Sequence, residues 1–228
     1  TVSFDGREIA YPDHGEVWSA SFDYRIVDKH LILTYRSRIL PYVYEKRITL
    51  VDHTLRLTYS IRNTGHRPIK CIWAMHCLLN YEEDMKIRFP KDTMTVLNVL
   101  PGPLGDEGAI HSFPLTQTTD GQSCRLDRVP APNIPVCSKY YVNNPIKFGN
   151  CGAYYPSVNA SLDICYDPEA LPYLGFWVTA GGYRGDYNCA LEPCNGFYDS
   201  IEKAEREKKL CVLMPSAALE FSISLALT

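Results

Sequence analysis

Three short stretches of this 228-residue chain carry side chains suited to acid–base chemistry. The first is Asp13-His14-Gly15-Glu16, closely followed by Trp18. It reads either as a polar turn with a stacking ring beside it or as a histidine at a strand mouth, where loops meet ligands. The second is His76, set in Cys71-Ile72-Trp73-Ala74-Met75-His76-Cys77-Leu78-Leu79. An imidazole there is either a satisfied core group or a general acid whose pKa the surroundings adjust. The third is Cys189-Ala190-Leu191-Glu192-Pro193-Cys194-Asn195-Gly196. Glu192 closes an apolar run just before a proline, and a carboxylate at such a strand exit has a raised pKa and can act as a base. Trp177 lies upstream, then the glycine-rich Gly181-Gly182-Tyr183-Arg184-Gly185. A ring beside such a carboxylate suits the apolar face of a pyranose. The acidic run Glu82-Glu83-Asp84 reads as a solvated turn. Phosphate-cradling loops, Ser/His/Asp elbows and His-x-His signatures are absent, so neither a metal nor a cofactor is expected.

The elements that must position these groups read as strands. Thr54 to Arg62 alternates apolar and polar residues without a break, the period of a half-buried strand. Trp18–Val27, Leu31–Leu40 and Tyr42–Leu50 precede it, joined by short polar turns at Asp28-Lys29 and Asp52-His53. Ile69–Leu79 is apolar on both parities and predicts one strand covered on both faces. From Pro90 to Pro172 the chain is punctuated by Pro101-Gly102-Pro103, Pro130-Ala131-Pro132 and Asn143-Asn144-Pro145, which predicts a loop-dominated middle. Tyr173–Ala180, Tyr187–Leu191, Lys209–Leu213 and Leu219–Leu227 return to strand. Ser200 opens the one good helix start, running from Ile201 to Lys208 with carboxylates early and lysines late. With no repeat and no composition break, residues 1–228 are expected to form one all-β domain.

Composition bounds the partners. Twenty-three basic against 26 acidic side chains give a net charge of −3, which argues against nucleic acid, since counterion release needs a basic face. The apolar runs are too short to span a bilayer and Thr1 opens no leader, so neither a membrane partner nor export is expected. Nine cysteines without a Cys-x-x-Cys pair read as reduced packing residues of a cytoplasmic protein.

Taken in order, the three stretches resemble the galactose mutarotase-like (aldose 1-epimerase) superfamily. The resemblance rests on His14-Gly15 with Trp18, on the turn Asn63-Thr64-Gly65-His66-Arg67-Pro68 leading into the segment that carries His76, and on Ala190-Leu191-Glu192-Pro193-Cys194 followed by Tyr198-Asp199-Ser200. It implies a β-supersandwich of antiparallel sheets with a sugar site on one concave face. It also implies a cofactor-independent isomerase acting on a small-molecule aldose, or a carbohydrate-binding protein of the same shape. By carry-over Glu192 is the general base, His76 the acid and His14 an auxiliary histidine, with Trp18, Trp177 and Arg184 completing the sugar contacts. Members usually carry further strands and a sugar-contacting arginine ahead of the His-Gly element. Only 13 residues precede His14 here, so those strands are expected to be missing. Met75, and Cys77-Leu78-Leu79, replace the usual neighbours of the strand histidine. A retaining glycosidase using Glu16 and Glu192 would instead need the two carboxyls about 5–5.5 Å apart.

Overall fold

A computed structural model describes residues 2–133, 135–197 and 199–228. Its first elements are a hairpin of β1 (Val2–Phe4) and β2 (Arg7–Ile9) and a single 3-10 turn, Glu16–Trp18. A meander follows: β3 (Asp23–Val27), β4 (His30–Arg36), β5 (Tyr42–Val51) and β6 (Thr54–Asn63). Next come β7 (Ile69–Cys71), β8 (Cys77–Asn80), β9 (Lys86–Arg88), β10 (Thr95–Asn98), β11 (Ile110–Ser112), β12 (Leu115–Gln117) and β13 (Ser123–Arg125). The longer β14 (Val136–Val142), β15 (Asn150–Tyr155), β16 (Ala160–Tyr166), β17 (Tyr173–Ala180) and β18 (Tyr187–Cys194) follow, then α1 (Ile201–Arg206), β19 (Cys211–Leu213) and β20 (Ala218–Leu227). No described helix is long and apolar enough to cross a membrane.

Two antiparallel sheets carry the architecture. One has eight strands in the order β3-β4-β5-β6-β20-β16-β15-β9, the other six in the order β11-β10-β14-β17-β18-β8. Alternation decides which side chains lie between them. On β6 Leu57, Tyr59 and Ile61 are buried while Arg56, Thr58 and Arg62 face out. On β17 Leu174, Phe176 and Val178 join the same core, and Tyr140 and Val142 of β14 do likewise. Fully burying each such side chain contributes about 1.5–3 kcal/mol, so the interface between the sheets dominates the fold's stability. The opposite face of the six-stranded sheet therefore carries Lys139 and Tyr141 of β14, Gly175 and Trp177 of β17, and Ala190 and Glu192 of β18.

The structure departs from the sequence pattern in the Ile69–Leu79 segment, in the middle of the chain and at Glu192. The segment Ile69–Leu79 is not one strand: β7 pairs with β19, and β8 pairs with β18 in the six-stranded sheet. Between them residues 72–76 cross from one sheet to the other. Trp73 packs on Tyr59 and Phe221 at 4.9 and 4.5 Å, Asn195 Oδ1 accepts from the Trp73 amide at 2.6 Å, and the Met75 amide donates to Pro193 O at 3.1 Å. Apolar residues on both parities are thus satisfied by a crossing rather than by two covered faces. The middle of the chain is not loop-dominated either, since β14 sits inside the six-stranded sheet and β15 and β16 inside the eight-stranded one. Lastly, β18 runs through Glu192 and Pro193 to Cys194, so Glu192 lies within a strand and not at its exit. Proline is tolerated at that point because β8 pairs with β18 only from Asn188 to Leu191, leaving Pro193 beside the irregular crossing.

Candidate active site

The crossing places His76 immediately before β8, next to the outer face of β18. There His76 Nδ1 lies 3.5 Å from Glu192 Oε1. The other carboxylate oxygen, Oε2, meets Lys139 Nζ at 3.0 Å. Lys139 also reaches Asp199, at 3.0 Å to Oδ1 and 2.9 Å to Oδ2, and the Tyr141 hydroxyl donates to the same Asp199 Oδ1 at 2.9 Å. Register explains the convergence: Tyr141 pairs with Gly175, and Gly175 with Glu192, so the three occupy one row across the sheet. A Cβ on Gly175 would stand 3.0 Å from the Tyr141 ring and 3.3 Å from Glu192 Oε2. Only glycine lets the ring and the carboxylate approach across that strand.

The first stretch arrives from the far side. His14 and Gly15 both adopt left-handed backbone, with φ of 59° and 76°. A histidine tolerates that conformation better than most residues, and glycine tolerates it freely. The resulting turn stacks His14 on Trp18 at 5.1 Å, and both rings meet the His76 ring edge-on, at 5.2 and 5.4 Å. Trp18 is 57% exposed, which leaves its ring free to cover a ligand. The turn is pinned by Glu16, whose carboxylate accepts hydrogen bonds from Tyr35 at 2.9 Å, Ser37 at 2.5 Å, the Arg38 amide at 3.1 Å and Tyr42 at 3.3 Å. Burial pushes the Glu16 carboxyl up, but these four donors outweigh it and hold it below the ordinary carboxylate range. Glu16 is committed to holding the turn, so the glycosidase reading loses its second carboxylate.

Glu192 is charged under different terms. It is 3% exposed, and burial raises its pKa against the opposing Lys139 charge, with Asp199 adding to the rise and His14 opposing it. Burial likewise drives His76 down, to about 4, helped by Lys139 and His14 and resisted by Asp199. Lys139 goes the other way: burial would lower it, yet Glu192 and Asp199 together carry it above its ordinary value. At neutral pH the set is therefore a neutral imidazole, a lysine ammonium and two carboxyl groups competing for it. A buried carboxyl whose pKa is raised, beside a weakly basic ring, is a pair able to exchange protons.

No family model and no curated protein matches the chain. Solved structures do. The chain is similar to a putative aldose 1-epimerase from Escherichia coli K12, at 18% identity over 99% of this chain and 78% of that one, with a TM-score of 0.66. A galactose mutarotase related enzyme from Lactobacillus acidophilus matches at 13% identity, over 99% and 77% of the two chains, with a TM-score of 0.68. A galactose mutarotase-like protein from Lactobacillus casei ATCC 334 matches at 15%, over 96% and 77%, with a TM-score of 0.69. The chain has the galactose mutarotase-like fold.

On this mutarotase-like scaffold His14, Trp18, His76 and Glu192 come together in one cluster. Trp177 stands on the same sheet face, in register with Lys139 and Ala190, and donates from its indole to Asn188 Oδ1 at 3.2 Å. Arg184 is exposed in the turn between β17 and β18, over the Tyr183 ring at 5.1 Å, and Tyr183 in turn meets Trp177 edge-on at 5.5 Å. Of the Tyr198-Asp199-Ser200 element, Tyr198 lies outside the described residues, Asp199 holds Lys139, and Ser200 caps α1 by accepting from the Lys203 amide. Lys139, Tyr141 and Gly175 were missed by sequence reasoning. The available signal was a lone lysine inside the apolar run Val136 to Val142. Two surface grooves, at the β3–β4 and β5–β6 turns and beside β12, hold none of these groups.

Proposed function

We propose that the protein is an aldose 1-epimerase-like isomerase, interconverting the anomers of a small-molecule sugar without a cofactor. The observation that carries this reading is the approach of His76 to Glu192 at 3.5 Å beneath the rings of His14 and Trp18. Glu192 takes the proton of the anomeric hydroxyl, the electron pair of that O–H forms the carbonyl, and the bond from the anomeric carbon to the ring oxygen breaks. His76 hands a proton to the departing ring oxygen from Nε2, since Nδ1 faces Glu192. Rotation about the adjacent carbon–carbon bond and reclosure on the other face, with both protons returned, give the second anomer. His14, Trp18 and Trp177 supply ring faces for the sugar, and Arg184 a rim contact. Nine free cysteines support placing this chemistry in the reducing cytoplasm.

The productive form needs Glu192 ionised and His76 protonated, while His76 loses its proton at about 4. Turnover therefore peaks between that value and the raised Glu192 value, and falls as pH rises past the latter. The same depressed imidazole favours a second reading, a carbohydrate-binding protein without turnover. Polarimetry of freshly dissolved α-anomers, across several aldoses and their 6-phosphates, separates the two. Faster rotation change at about pH 5.5 than at about pH 8 supports the isomerase. Binding with no change in rate at any pH supports the binding protein and rejects catalysis.

A further inference from the structure

The acid–base pair gives no reason for Lys139. Its residue is 9% exposed, and it sits two strands away from Glu192 in the six-stranded sheet. A buried ammonium is costly unless paired, and a buried carboxylate is equally costly. Each supplies the other's partner, across the gap that Gly175 leaves open.

We infer that Lys139 is a positioning residue that keeps Glu192 ionised and aimed, and that Asp199 is the counter-charge that limits its hold. This rests on Glu192 acting as the base. The charged and titratable groups facing Glu192 are Lys139 and Tyr141 from β14, Asp199 from the segment after β18, His76 from the crossing, His14 from the first turn and Cys194 on its own strand. Lys139 supplies the cation that touches it. Without Lys139, a carboxyl this deep holds its proton and has no charge with which to accept another. With Lys139 alone, the ion pair would make Glu192 too weak a base. Asp199 resolves the conflict. Its side chain is 58% exposed, its charge is partly solvated, and it grips Lys139 through both oxygens. When Glu192 picks up the anomeric proton, Lys139 remains paired to Asp199, so no uncompensated cation is left buried. Tyr141 fixes Asp199 in that position by donating to Oδ1.

The test is to titrate the Glu192 side-chain carboxyl by carbon-13 NMR, with the pH profile of anomerisation recorded alongside. In Lys139→Met the Glu192 midpoint should move up by about one to three pH units, the usual effect of one adjacent charge. The activity profile should move the same way, because Lys139 also holds His76 down. Lys139→Arg should restore most of the wild-type midpoint. Asp199→Asn should move the Glu192 midpoint down. An unmoved midpoint in Lys139→Met, or the same direction of movement in both variants, overturns the inference. If Lys139→Met does not fold, the direction of the Asp199→Asn shift decides alone. Failure of the epimerase reading looks different: no aldose is turned over, yet the Glu192 midpoint still moves in opposite directions in the two variants.

Discussion

Two buried glutamates in this protein have been given opposite treatment. Glu16 lies 7% exposed beneath the first turn, with four donors on its two oxygens. Glu192, 3% exposed, has an ion pair to Lys139 on one oxygen and His76 at 3.5 Å from the other. Hydrogen bonding holds the first ionised; desolvation leaves the second close to accepting a proton. The two are also linked, since Glu16 holds the turn that sets His14 and Trp18 against His76. A satisfied carboxylate builds the frame, and the one with fewer donors is the proposed base.

The largest effect expected from this contrast is in rate. Glu192→Gln keeps size and hydrogen-bonding reach but cannot take a proton, and loss of a general base typically costs a factor of about 10² to 10⁴. Sugar binding, followed by tryptophan fluorescence, should change little in that variant. An unimpaired anomerisation rate would end the role assigned to Glu192.

The next effect is in stability. Glu16→Ala strands Tyr35, Ser37, Tyr42 and the Arg38 amide without an acceptor, and should destabilise the fold by about 2–4 kcal/mol in urea unfolding. Activity measured on the remaining folded protein should also fall, because the His14–Trp18 turn loses its anchor. Ordinary stability would mean that water replaces the carboxylate at little cost.

The pH dependence of melting sharpens the comparison further. The folded-state pKa of Glu16 lies below its ordinary 4.5, so its contribution is fully present above that value and is lost as pH falls through the folded one. For Glu192 the folded value lies above 4.5, so its contribution is present below 4.5 and is lost as pH rises through the folded one. Glu16→Gln should therefore flatten the loss of melting temperature on acidification. Glu192→Gln should raise the melting temperature above neutrality. Equal slopes in the two variants would erase the distinction. The smallest effects are at the rim: Trp18→Ala should raise KM about two- to tenfold through lost ring stacking, while Arg184→Ala, exposed on Tyr183, should change stability by no more than about 0.5 kcal/mol.

Local pattern was enough for some of this and not for the rest. The alternation of Thr54 to Arg62 and the Ser200 cap with Glu202 behind it each depend on neighbours in the chain, and strand β6 and helix α1 lie where they indicate, α1 ending earlier at Arg206. Ile69 to Leu79 could not be read the same way, because half-buried Trp73 packs on Tyr59 and Phe221 and the Met75 amide donates to Pro193 O, none of them a neighbour in the chain. Lys139 is the clearest case. Between Pro130-Ala131-Pro132 and Asn143-Asn144-Pro145 a single lysine has no periodicity to mark it, and only the pairing of β14 with β17, and of β17 with β18, brings it to Glu192. Glu192 as a candidate base was legible in the chain; its charge partners depend on sheet register.

The most direct measurement is the titration of both glutamate carboxyls in one sample of the unmodified protein by carbon-13 NMR. Glu16 should titrate below 4.5 and Glu192 above it, with His76 staying neutral down to about 4. Finding Glu192 at or below Glu16 would contradict this, because a carboxylate held that firmly would be one more structural anchor and not a base.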